Sequence, residues 1–93
     1  AIFNNHPEVF RSALVGIGKA GHQKPVICIE LEPSSRHKSR KKLIAELTDL
    51  AKGNAMTARI ENFLFHNSFP VDIRHNSKIF REKLAVWAQK KIK

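Results

Sequence analysis

The run Val26-Ile27-Cys28-Ile29-Glu30-Leu31 constrains this chain more than any other stretch. Side chains of a strand point alternately to its two faces, so a nearly continuous apolar run puts apolar groups on both. The run reads as a strand over 26–31 whose two faces are each partly covered. Cys28 is the chain's single cysteine. Neither a disulfide framework nor a cysteine-based metal site can be built from it, and a reducing compartment suits it. Inside an apolar strand it has no reason to be a low-pKa nucleophile and reads as a core residue.

Other elements are legible around this strand. Val9 to Ile17, VFRSALVGI, mixes β-branched and apolar residues and runs into the glycine-bearing turn GKAGHQKP. It reads as a strand forming a hairpin with 26–31. Ile2 and Phe3, before Asn4-Asn5-His6-Pro7, read as the last turn of a helix that begins upstream. After Pro33-Ser34-Ser35, with Ser35 or Ser39 as N-cap, Leu43, Ile44, Leu47, Leu50 and Ala51 recur at the spacing of one helix face, and Gly53-Asn54 supplies the stop. Ile60 to Phe65 reads as a third short strand. Phe80, Leu84 and Trp87 define a terminal helix with Trp87 at a core position. Between them, FPVDIRHNS reads as a polar loop that delivers Lys78 at the mouth of that helix. The expected fold is α+β: a small mixed sheet with a β-hairpin and helices packed on it, one domain over residues 1–93.

Seventeen Lys and Arg against eight Asp and Glu give a formal net charge of +9, which points to an anionic partner. The charge is clustered in RHKSRKK, Arg36 to Lys42, and in QKKIK, Gln89 to Lys93. The second cluster closes the terminal helix, where cations complement the helix dipole. His6, His22, His37, His66 and His75 do not repeat a ligand spacing on a helix, so no metal site is expected. GIGKAG, Gly16 to Gly21, follows a strand but leads into another strand, so it is a hairpin turn and not a phosphate cradle. No apolar stretch is long enough for a membrane span, the N-terminus lacks the order of a signal peptide, and a cytoplasmic protein is expected.

NNHPEVFRSALVGIG, then KPVICIELEP, then a helix, then ARIENFLFHNSFPVDIRHNSKIFREKL, resembles the C-terminal domain of the acyl-adenylate-forming superfamily, which includes acyl-CoA synthetases, luciferases and peptide-synthetase adenylation domains. The resemblance covers essentially the whole chain. In that family an HP-x-V segment leads into a strand, and a G-K-I-x-R-x-x-L segment carries the adenylation lysine. Here Lys78-Ile79-Phe80-Arg81-Glu82-Lys83-Leu84 supplies K-I-x-R-x-x-L, so the resemblance gives Lys78 the catalytic role. Ser77 stands where the family has glycine, a departure that bears on the backbone angles available before the lysine. Arg74 and His75, on the same loop, become candidates for contact with ATP phosphates or with the neighbouring domain.

The resemblance implies a mobile lid. The partner would be an N-terminal adenylation domain of the same chain, which binds ATP, Mg2+ and the acyl substrate, a fatty or β-hydroxy acid. The hinge and the loop serving the second step are expected upstream of Ala1. The resemblance leaves open whether that step is thioester formation with CoA or β-lactone closure. An isolated lid should be inactive. Beside this stands one alternative from another class, a basic nucleic-acid-binding α+β module without catalytic activity. Its aromatic evidence is thin: Phe63, Phe65 and Phe69 can all be core residues, and the chain has no tyrosine.

Overall fold

In the computed structural model, which describes residues 2–19, 21–35, 39–60, 62–72 and 78–92, the apolar run is the middle of a three-stranded sheet. Strand β2 (Lys24–Leu31) pairs antiparallel with β1 (Val9–Ile17) and parallel with β3 (Asn62–Phe65), so the sheet is mixed, as expected. Every residue from Val26 to Leu31 is buried. Ile27, Ile29 and Leu31 meet Leu43, Leu47 and Ala51 of helix α1 (Arg40–Lys52). On the opposite face Val26 and Cys28 meet Leu84 and Ala88 of helix α2 (Arg81–Ile92). The continuous apolar run is therefore explained by one helix on each face of the strand.

A bulge in β1 lets its residues serve both layers. Val9 pairs with Leu31 and Arg11 with Glu30, leaving Phe10 as the extra residue. Beyond such a bulge the side-chain alternation is inverted. Val9 accordingly packs in the α1 core, whereas Ala13, Val15 and Ile17, in the same odd-numbered series, pack in the α2 core. In the hairpin turn Gly18 and Gly21 have φ of 97° and 86°, conformations that cost other residues strain. The Gly18 N–H donates to the Gln89 side chain at 2.7 Å, tying the turn to α2.

Several local expectations shift. Of the two candidate caps, Ser39 is the one used: its hydroxyl accepts the Lys42 N–H at 3.3 Å. Ser35 lies in a 3-10 turn (Pro33–Ser35) and donates its hydroxyl to the Glu8 carboxylate. Ile2–Asn5 is a 3-10 turn with Phe3 buried. Strand β2 starts two residues earlier than the apolar run and β3 two residues later than Ile60. The helix stripe is only partly covered, because a sheet of three strands is narrow: Ile44 is exposed, and Leu50 and Trp87 are half-buried.

With a core on each face, the 93-residue chain is expected to unfold in one cooperative urea transition when expressed alone. Cys28 gives an independent readout. It is fully buried, and burial pushes its thiol up to about 12, so almost no thiolate forms at pH 8. Alkylation at pH 8 should be slow until urea reaches the unfolding midpoint. Rapid labelling without denaturant, or a broad non-cooperative transition, would contradict the two-core description.

Candidate active site

The segment expected as a loop contains a small β-ribbon. Strand β4 (Val71–Asp72) pairs antiparallel with β5 (Lys78–Ile79), Val71 opposite Ile79 and Asp72 opposite Lys78. Lys78 therefore sits on a strand three residues before α2 and not at a helix mouth. Two-residue strands are too short to print an alternating pattern, and Pro70, Asp72 and Asn76 are turn-type residues, so the ribbon reads as loop in the sequence. The tip of the ribbon, residues 73–77, lies outside the described residues. Arg74, His75 and Ser77 fall there.

The base of the ribbon is anchored at several points. Phe69 is buried in the α2-side core, with Val71 and Ile79 packed against it. The Phe80 N–H donates to the Pro70 carbonyl at 2.8 Å, closing the ribbon, and the Leu84 N–H donates to the Phe80 carbonyl at 3.1 Å as α2 begins. Glu30 accepts the Phe69 N–H on Oε1 at 2.9 Å and is itself paired with Arg11, whose Nε donates to Oε1 at 3.1 Å and whose Nη2 donates to Oε2 at 3.3 Å.

Within the K-I-x-R-x-x-L segment the side chains divide their tasks. Ile79 packs against the core and Leu84 is fully buried. Arg81 donates to the Leu14 carbonyl at 3.3 Å, fastening the start of α2 to β1. The Lys83 ammonium lies 4.8 Å from the centre of the Phe80 ring. Lys78 is exposed. A strand alternates its side chains, so with Ile79 turned to the core Lys78 points away from it.

Sequence reasoning missed Glu30 and Arg11. The signal was present as an acid inside an apolar strand and an arginine in the strand expected to pair with it. His66 was also passed over. Its Nδ1 accepts the Ser68 N–H at 3.0 Å, and its ring stands 4.4 Å from that of Trp87 and 5.9 Å from that of Phe69. Burial holds the His66 imidazole below its ordinary value; the Glu30 charge pulls upward and Lys91 pushes down. Among the described residues no cluster of three or more His, Cys, Asp or Glu could hold a metal ion, and no helix is long and apolar enough to cross a membrane. The aromatic residues weighed for nucleic-acid binding are engaged elsewhere. Phe63 packs edge-on against Phe3 at 5.7 Å, Phe69 is in the core, and Phe65 lies beneath Arg40 at 4.6 Å.

No family model matches the chain. Two curated proteins, each named olefin beta-lactone synthetase, are similar to it. The one from Xanthomonas campestris pv. campestris is 51% identical over 87 residues, covering 94% of this chain and 16% of that protein. The one from Stenotrophomonas maltophilia is 50% identical over 88 residues, covering 94% of this chain and 15% of that protein. The chain thus spans about a sixth of the length of these relatives. Among solved structures, the anthranilate CoA ligase AuaEII in complex with anthranoyl-AMP superposes with a TM-score of 0.76 at 26% identity, over 98% of this chain and 17% of that one. These matches and the α+β architecture define the class: the chain belongs to the acyl-adenylate-forming superfamily, as its C-terminal domain.

Proposed function

We propose that this chain is the mobile C-terminal domain of an ATP-dependent acyl-adenylating ligase, and that it carries Lys78 to the reacting phosphate. The observation that supports the reading is the division of labour within the motif. Ile79, Arg81, Lys83 and Leu84 are committed to packing or to contacts within the domain, while Lys78 extends to solvent from an anchored ribbon. Attack of a carboxylate on the α-phosphorus brings two anions together and develops charge on the phosphoryl oxygens and the departing pyrophosphate. A lysine is a compact cation on a flexible stem, able to reach both carboxylate and phosphate oxygens. Carried on a small separate domain, it arrives only when that domain closes.

The acid is a fatty or β-hydroxy acid, in keeping with the names of the curated relatives, and the second step is thioester formation with CoA or β-lactone closure. The anthranoyl-AMP held by a structural neighbour supports an acyl-adenylate as the first product. ATP and Mg2+ are assigned mainly to the N-terminal adenylation domain. The described residues of this chain offer neither a metal-holding cluster nor a glycine-rich turn leading into a helix. Arg74 and His75 keep their proposed role in contacting ATP phosphates or the neighbouring domain, and a cytoplasmic enzyme is proposed.

Acid-dependent exchange of pyrophosphate into ATP tests this reading. The full-length protein should catalyse it with fatty or 3-hydroxy acids, and the 93-residue chain alone should not. Turnover by the chain alone would overturn the lid. Micromolar binding of mixed RNA or DNA by the chain at physiological salt, with a steep salt dependence, would instead favour the nucleic-acid module.

A further inference from the structure

The α2 face of β2 carries a buried charge that the reaction chemistry does not use. The Glu30 side chain is only 5% exposed and that of Arg11 24%. An ion pair withdrawn from water is a poor source of stability, because the desolvation of both groups offsets their attraction, and apolar residues of similar size often serve as well. A carboxylate inside VICIEL therefore calls for another explanation, and its third partner supplies one. Besides the Arg11 guanidinium, Glu30 accepts the Phe69 N–H, the last backbone donor before Pro70 and β4.

The ribbon that bears Lys78 consists of two residue pairs. A hairpin of that length has little stability of its own, so its position is set by what holds its base. One strand of the base is held by Glu30 through Phe69. The other is tied to the first by the Phe80 N–H on the Pro70 carbonyl, two residues from Lys78. Arg11 in turn fixes the carboxylate through two nitrogens, a fork geometry that leaves little rotational freedom. The contacts run from Arg11 to Glu30, to Phe69 and Pro70, across to Phe80 and back to Lys78.

We propose that Glu30, held by Arg11, is a positioning residue for Lys78, clamping the base of the ribbon so that the ammonium reaches the reacting phosphate in one defined place. The proposal rests on the reading of Lys78 as the adenylation cation. An apolar residue at position 30 fills the same space but leaves the Phe69 N–H without its acceptor and frees the base of the ribbon. Glutamine keeps an oxygen for that N–H.

The test uses the full-length ligase, with each half-reaction measured separately and Lys78→Ala carried in parallel. Glu30→Leu should lower kcat for adenylation about 10- to 100-fold, as expected for a catalytic group displaced by about an ångström, with KM for ATP and acid within about twofold. The second half-reaction, started from preformed acyl-adenylate, should stay near wild type. Glu30→Gln should recover to within about threefold of wild type in both steps. If Glu30→Leu does not fold at the assay temperature, Glu30→Asp replaces it. Aspartate keeps the charge for Arg11 but withdraws it from Phe69 by one methylene, and should give the same selective loss of kcat. A folded Leu or Asp variant that adenylates at the wild-type rate while Lys78→Ala is slow would overturn the clamp, as would a loss shared equally by both half-reactions. A wild-type rate for Lys78→Ala would overturn the reading on which the clamp rests.

Discussion

Acyl-adenylate formation by the full-length ligase should fall about 10²–10³-fold when Lys78 is replaced by alanine, the scale typical of removing one preorganised electrostatic partner from a transition state. The lysine's contribution is concentrated where charge develops, on the phosphoryl oxygens and the departing pyrophosphate. Affinity for ATP and for the acid should consequently change little, and the loss should appear in kcat. The second half-reaction, begun from preformed acyl-adenylate, should proceed nearly unchanged, because a rotated lid no longer presents Lys78 to the site. Lys83→Ala is the matched control: it removes a nearby cation, in the first turn of α2, that lies over the Phe80 ring, and should leave both steps close to wild type. Equal damage to both half-reactions from Lys78→Ala would assign the residue a structural or uniformly binding role.

How much of this was legible in the sequence depended on the length of the pattern carrying it. Strand β1 was readable to its ends, Val9–Ile17, and α1 announced itself through Leu43, Leu47 and Ala51 followed by Gly53. The mixed pairing of β2 followed from a hairpin on one side and a helical crossover on the other. The bulge at Phe10 was not visible, because an odd-numbered series of apolar residues looks the same whether or not it changes face midway. The two-residue strands of the ribbon were hidden for want of length, so Lys78 was assigned to a loop although its place in the motif was plain. Glu30 was overlooked for a different reason. An acid in an apolar strand can be an edge residue or a buried partner, and only the tertiary contact between Phe69 and β2, 39 residues apart, distinguishes them. Trp87 is conspicuous by size but stands half-buried beside His66, whereas the small Ala88 is fully enclosed.

The separation of the core into two layers sets up the largest expected change in stability. Leu47 is fully buried between α1 and the sheet, and Leu84 is fully buried between α2 and the sheet. Truncating either to alanine removes its transfer free energy and leaves a cavity, so each variant of the isolated chain should lose about 2–5 kcal/mol in urea unfolding. Against a total of about 5–15 kcal/mol for a domain of this kind, either loss is severe. Their functional consequences should nevertheless differ. Leu84 shares its cluster with Phe69, Val71 and Ile79, the residues that seat the Lys78 ribbon, whereas the cluster around Leu47 is on the other face of β2. At a temperature low enough for both full-length variants to remain folded, Leu47→Ala should adenylate at close to the wild-type rate and Leu84→Ala should be markedly slower. Equal slowing of the two would mean that β2 transmits the disturbance from one layer to the other, and that the ribbon depends on the domain as a whole and not on the layer beneath it.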